Sequence, residues 1–142
     1  MYDALDVARY VINYENSQNR SVSNLRLQKL LYFIQAQYLV TNHSACFSDE
    51  MEAWDLGPVV PSVYHEYKAF GSSSLPRSLS RGAVNISNED RMLINRILDK
   101  CSRYSTTSLV SMTHRQQPWK DAYERRYDNT ISLRSMLSFF GG

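Results

Sequence analysis

The sequence predicts a mainly α-helical, compact protein that is built around one central, buried helix. Apolar residues recur at helical spacing along most of the chain, and between about residues 25 and 41 they cover more than one side of the predicted helix. Such a helix normally lies at the centre of a core. Weak alternation over residues 50–54 adds a possible short two-stranded β element. With 142 residues and no internal repeat, we expect one domain over residues 1–142.

The first two helices are predicted from their apolar stripes and their caps. Residues 3–14 carry apolar side chains at the spacing of one buried face, and Asp3 can cap this helix. The second helix, over about residues 25–41, begins after Ser23 or Asn24. We place Leu27 and Leu30 on its main stripe. Its polar side chains leave only a narrow strip that we expect to face water: Gln28, Lys29, Gln35 and Gln37.

A rigid corner is predicted between residues 53 and 61, ahead of a third helix over about residues 61–70. Pro58 and Pro61 restrict the backbone, and Gly57 can take angles that other residues avoid. Pro61 suits the first turn of a helix. Aromatic residues then recur every three positions along one face of that helix: Tyr64, Tyr67 and Phe70.

The second half of the chain is predicted as a loop followed by four helical segments. Residues 71–81 are rich in Ser, Gly and Pro and predict the longest loop. Residues 83–86 could form the second strand, paired with residues near Met51. Ser87 caps a helix that runs to about residue 104. Helical segments follow at residues 107–113, 119–126 and 132–140, the last with one apolar stripe of Leu133, Met136, Leu137 and Phe140.

Composition and charge argue against several classes of protein. The net charge is only +2, with basic residues spread along the chain, so we expect no nucleic-acid partner. The sequence has neither a long apolar run nor a signal peptide, so we expect no membrane association. Cys46 and Cys101 are isolated and fit free thiols in the reducing cytoplasm, with Cys101 in the core. We therefore expect a cytoplasmic protein.

No catalytic or metal-binding pattern stands out in the sequence. The three histidines and two cysteines are too far apart for zinc spacing, so we expect no metal site. Motifs for a serine nucleophile, a phosphate loop or a dinucleotide are absent, and we expect no catalytic residue and no cofactor. His114 is the most informative single residue, because a neutral imidazole can clip two segments together. The alternatives to this structural role of His114 are contact with a partner protein and catalysis in a hydrolase.

Three motifs in order carry a resemblance to a known family. They are NLRLQKLLYF at residues 24–33, EAWDLGPVVPSVY at residues 52–64, and LVSMTH at residues 109–114 with PW at 118–119. The set resembles the Panacea antitoxin domain family of SocA-like and phage-associated GepA-like proteins, over about residues 4–140. Asp55 and Leu56 depart from it, standing where we would expect an aromatic or basic residue.

The resemblance implies a small, mainly helical protein of bacteria or their phages. It implies an antitoxin of a toxin–antitoxin system that neutralises a protein toxin by direct binding, without enzyme activity or a cofactor. Two alternatives stay open: a phage-encoded inhibitor of a host defence or host enzyme, and an adaptor that delivers a toxin to an AAA+ protease. The oligomeric state is left open. The family's motif residues are implied to be mainly architectural: Leu27, Leu30, Trp54, Gly57, Pro58, Pro61, His114 and Trp119.

The candidate partner-binding residues are aromatic or near-aromatic side chains close to the motifs. Protein interfaces use large aromatic anchors surrounded by contacts of little energetic weight. We therefore place a candidate binding surface on the corner, on the third helix, on the loop over residues 71–81 and on the later motif. Its residues are Trp54, Tyr64, Tyr67, His114 and Trp119.

Overall fold

The computed structural model describes residues 1–77 and 85–142, and its helices and strands confirm the mainly α-helical prediction. The helices are α1 (Ala4–Ser17), α2 (Asn24–Asn42), α3 (Pro61–Tyr67), α4 (Asn88–Cys101), α5 (Thr106–His114), α6 (Gln117–Glu124) and α7 (Leu133–Gly141). A 3-10 turn, Lys68–Phe70, continues α3. The strands are β1 (Met51–Trp54), β2 (Gly57–Val59) and β3 (Thr130–Ile131).

The second helix, α2, is the axis of the core. It contacts α1, α3, α4, α5, α7 and β2. Leu27 and Leu30 are fully buried along it, as are Leu31 and Ile34. Burial of each such side chain contributes about 2 kcal/mol. Ser23 is the N-cap, since its Oγ accepts a hydrogen bond from the backbone N–H of Arg26 at 3.2 Å.

The expectation that the polar strip of α2 faces water is wrong. Gln28, Lys29 and Gln35 are buried, and only Gln37 is half-buried. The buried groups bind the backbone of segments that cross α2, because irregular chain must satisfy its N–H and C=O groups. Gln35, for example, accepts from the N–H of Cys46 at 2.8 Å and donates to the carbonyl of Phe47 at 2.9 Å.

The predicted corner is the turn and second strand of a β-hairpin. β1 pairs antiparallel with β2 on one side and with β3 on the other, in the order β2-β1-β3. Asp55 and Leu56 form the turn between β1 and β2. Pro58 is tolerated because β2 lies at the edge of the sheet.

Only half of the strand predicted at residues 83–86 falls within the described residues. Residues 83 and 84 lie outside the described residues, and Asn85 and Ile86 are not in a strand. Met51 pairs instead with Ile131. β3 has two residues, which is too short to show the alternation that identifies a strand in sequence.

The last helix, α7, packs along α2 on a narrower stripe than predicted. Met136 is buried and Phe140 is half-buried, but Leu133 and Leu137 are exposed at the flank. This nine-residue helix packs against α2 and α6 and leaves both flanks of its apolar face open. Within the part of the chain that the structure describes, no helix has the length and apolar character to cross a bilayer.

Tyrosines clamp α1 to α4 at the rim of the core. The hydroxyl of Tyr10 donates to Asn95 at 2.6 Å, and that of Tyr14 donates to Asp99 at 2.9 Å. The two rings stack along α1 with centroids 6.4 Å apart. We call these four residues the tyrosine clamp. Its polar tips are used inside the protein, which explains part of the high tyrosine content.

Candidate functional site

The β-hairpin is held down on α2 by a very close contact next to its turn. Gly57 has φ +107°, and a Cβ placed there would lie 2.7 Å from Thr113 Oγ1 and 3.0 Å from Lys29 Cε. Such distances exclude a side chain without displacement of its neighbours. The Nζ of Lys29 donates to the carbonyl of Pro58 at 2.7 Å. Glycine at this position therefore lets the hairpin approach α2 and α5 closely.

Lys29 is a buried cation under the hairpin. It is 0% exposed, and among the described residues no acidic side chain pairs with it. Burial lowers the pKa of Lys29 to about 7 because the ammonium form is desolvated. The hydrogen bond to the Pro58 carbonyl favours the ammonium form of Lys29 and so opposes the lowering of its pKa. Lys29 therefore holds the hairpin, and its burial keeps it away from any partner.

Two amide side chains set the angle at which α3 leaves the hairpin. The Oε1 of Gln28 accepts from the N–H of Val60 at 2.9 Å, just before α3 begins. The Nδ2 of Asn24 donates to the carbonyl of Tyr64 at 3.1 Å. Gln28 also donates to Asn24 at 2.9 Å. One turn of α2 thus binds both the start and the middle of α3.

The tip of the hairpin is fixed by side chains of α5 and α6. The Nε1 of Trp119 donates to the carbonyl of Trp54 at 2.8 Å, and the Nε2 of His114 lies 2.8 Å from the carbonyl of Asp55. Since a carbonyl only accepts, this Nε2 carries the proton. The ring of Trp119 packs between His114 and Tyr123, with centroids 4.4 and 4.5 Å away.

Four of the five candidate binding residues meet at this tip. Trp54 packs edge-to-face on Tyr64, with centroids 5.0 Å apart, and Trp54 joins Trp119 through the hydrogen bond to its carbonyl. Tyr67 does not join them, because it packs against the core and lies 6.5 Å from Phe70. We call the set of Trp54, Tyr64, His114, Trp119 and Tyr123 the tip cluster.

A groove of about 870 Å³ opens beside the tip cluster. Its floor comes from the first turns of α2, and its walls from the hairpin, α3 and the end of α6. Gly71 and Ser72 also line it, which places the beginning of the predicted loop at its rim; residues 78–81 of that loop lie outside the described residues. Its lining residues include Leu56, Lys68, Tyr123 and Arg126, which were not among the five candidate binding residues named from the sequence.

Tyr123 could have been found from the sequence. It lies four residues after Trp119, so both rings share one face of α6. Its hydroxyl donates to the carboxylate of Asp55 at 2.5 Å, and this hydrogen bond raises the pKa of Tyr123. No local pattern predicts that Asp55 is the shared partner of α5 and α6, because 59 residues separate it from His114.

Both cysteines are buried, and the ring of His114 is engaged with the hairpin. Burial raises the pKa of the Cys46 thiol to about 12 and that of Cys101 to about 11, which keeps both protonated near neutral pH. His114 has its Nε2–H on Asp55. Over residues 1–77 and 85–142, no group of three or more His, Cys, Asp or Glu is placed to hold a metal ion. The arrangement is suited to contact with another molecule.

Comparisons with known proteins agree with the motifs. The family model of the SocA-like antitoxin Panacea domain matches residues 27–120. Antitoxin SocA of Caulobacter vibrioides (strain NA1000 / CB15N) is 31% identical over 128 residues, which cover 82% of this chain and 68% of that protein. No solved structure matches the chain. The match spans α2, the hairpin and the tip cluster up to Lys120, and the chain belongs to the family of SocA-like antitoxins with a Panacea domain.

Proposed function

We propose that this antitoxin-family protein neutralises a protein toxin by binding it directly, and that the tip cluster and its groove form the contact surface. One observation carries the proposal: large, half-exposed aromatic side chains stand beside a groove of about 870 Å³. Buried aromatic anchors dominate the binding energy of most protein interfaces. A role by contact, without catalysis, also agrees with the family assignment.

The anchors are held in place before any partner arrives. The indole N–H of Trp54 donates to the carboxylate of Glu52 at 2.9 Å, and its ring packs on Tyr64. Asn24 binds the backbone carbonyl of Tyr64. Side chains ordered in advance lose less conformational entropy on binding, so more of the contact energy appears as affinity. The tip cluster therefore has the properties of a preorganised binding surface.

Co-expression with the product of the adjacent gene tests the proposal. We expect that product to stop growth alone, growth to return with this chain, and the two proteins to co-purify. Tyr64→Ala should weaken rescue, since it removes an aromatic ring from the groove wall. Tyr127→Ala is the matched control, because Tyr127 is 92% exposed and does not line the groove.

The amount of toxin separates the alternatives. Direct neutralisation leaves the toxin level unchanged, whereas an adaptor for an AAA+ protease would shorten its lifetime and make rescue depend on that protease. A harmless neighbour, or one that stays lethal beside this chain, would contradict the proposal. The first of those outcomes would favour a phage inhibitor of a host defence or host enzyme.

A further inference from the structure

We propose that the groove beside the tip cluster binds a segment of the toxin in which an acidic side chain adjoins a large apolar one. This inference rests on the proposed function and deepens it, because it names the chemistry of the bound segment. It follows from what the groove leaves unsatisfied: apolar surface and two cations.

The polar side chains in the floor of the groove are already satisfied by the protein itself. Asn24 and Gln28 bond each other and the backbone of Val60 and Tyr64. Asn129 donates to the carbonyl of Ala53 at 3.2 Å. A ligand that depended on amide recognition would have to break these bonds. We therefore do not expect the polar side chains of the floor to form hydrogen bonds with a ligand.

The walls are apolar and partly open to solvent. Leu56 is 55% exposed and Tyr123 is 40% exposed, while Trp54 and Tyr64 are half-buried. Leu25 and Val59 add apolar surface to the lining. A space of this volume holds a few side chains and not a whole domain. Its occupant in a protein complex is therefore a short segment with at least one large apolar side chain.

Two exposed basic side chains give the groove its net positive charge. Lys68 and Arg126 are exposed lining residues, and no hydrogen bond or ion pair to either side chain occurs among residues 1–77 and 85–142. The remaining charged lining residue is Asp55, so two positive charges and one negative charge leave +1. Asp55 already accepts from Tyr123. The free charge is positive, and its complement is an acidic side chain.

Both cations line the same groove as the aromatic rings. Lys68 follows Tyr64 by four residues, at the spacing of neighbours on one helix face. Arg126 follows Tyr123 by three residues, just beyond the end of α6. Each wall thus pairs one ring with one cation. A segment that fills the groove can bury its apolar side chain and meet a cation with the adjacent acid.

Calorimetry on the purified chain and the product of the adjacent gene tests this inference. The groove variant combines Lys68→Glu with Arg126→Glu. The control combines Arg96→Glu with Arg103→Glu, two exposed cations outside the groove whose reversal changes the net charge equally. We expect the groove variant to raise Kd by about 30-fold at low salt, and less at high salt, with the control within about threefold of the wild type.

An acidic residue of the toxin should then compensate. Peptides tiled along the toxin identify segments that bind, and we expect them to contain Asp or Glu next to a large apolar residue. Changing that acid to Lys should restore binding to the groove variant and weaken binding to the wild type, which is the signature of a direct pair. The variant and the control should melt within a few degrees of the wild type.

The outcomes distinguish this inference from the proposed function. If the wild type binds the toxin and the groove variant binds it equally well, the assignment of an acidic segment to the groove is wrong while direct neutralisation stands. If the toxin peptides that bind the groove contain no acidic residue, the inference is also wrong. If the wild type shows no binding at all, both proposals fall.

Discussion

The tyrosine clamp and the tip cluster both place aromatic rings at the rim of the protein, but they use these rings differently. In the clamp, Tyr10 and Tyr14 direct their hydroxyls from α1 to polar side chains of α4. In the tip cluster, the ring N–H groups of Trp119 and His114 donate hydrogen bonds to backbone carbonyls of the hairpin. Trp54 and Tyr64 still line an open groove. Aromatic content alone therefore does not identify a binding surface. The candidate surface is identified by aromatic rings that still face an open groove.

The largest expected effect is at Gly57, next to the turn of the hairpin. Gly57→Ala should lower the free energy of unfolding by about 3 kcal/mol, because φ is +107° and the new Cβ would lie 2.7 Å from Thr113 Oγ1. Urea denaturation measures it. Gly71→Ala is the control: φ is +56°, but nothing lies within 4 Å, so about 1 kcal/mol is expected. Equal losses would show that the close approach does not matter.

The second prediction concerns pH and the cation beneath the hairpin. The folded pKa of Lys29 is lowered from 10.5 to about 7. Between these values the unfolded chain holds a proton that the folded chain lacks, so stability rises with pH across that window. Relative to Lys29→Met, the wild type should gain about 2 kcal/mol from pH 7 to pH 9. Parallel pH dependence of unfolding for the two proteins over that range would contradict the lowered pKa of Lys29.

The third prediction separates the two aromatic groups by function. Tyr10→Phe should cost about 1.5 kcal/mol, because Asn95 loses its partner at 2.6 Å in a half-buried place. Toxin neutralisation should remain intact, since the clamp does not line the groove. Thermal denaturation and the rescue of growth measure the two effects. A loss of rescue at unchanged stability would move the binding surface to α1.

The smallest expected effect is at the edge of the tip. His114→Ala should cost about 1 kcal/mol or less, because it removes one partly exposed hydrogen bond to the carbonyl of Asp55. His65→Ala is the matched control, since His65 is exposed and makes no described hydrogen bond. Both are read by denaturation. Identical melting of the two variants would mean that His114 does not hold the tip.

Much of the fold could be predicted from local pattern. The apolar stripes located α1, α2, α4 and α7 within a few residues. Ser87 was predicted as a cap and Ser23 as one of two candidates beside Asn24, and each serine accepts the N–H three residues ahead. The third strand could not be predicted, because two residues have no period. The burial of Gln28, Lys29 and Gln35 was missed because a polar side chain on a central helix resembles a solvent-facing one until its backbone partner is known.

The candidate site was predicted in part. Four of its residues, Trp54, Tyr64, His114 and Trp119, were identified by motif, but sequence reasoning gave no indication that they meet. Tyr67 packs against the core. Its placement was not predicted, because helical spacing alone does not say which face of α3 a neighbouring helix covers. Lys68 and Arg126 were overlooked, since an isolated surface cation carries no signal until a groove forms beside it.

By itself, the sequence determined the helical class, the central position of α2, the need for glycine and proline around residue 57, and the family to which the chain belongs. These features depend on local periodicity, backbone restriction and motif order. The tertiary structure alone decided that the corner is a hairpin, that Lys29 is buried under it, and that α5 and α6 hold its tip beside a groove. Those features arise from contacts between residues far apart in the chain, where distance and burial decide whether a polar or aromatic side chain supports the core or faces a partner.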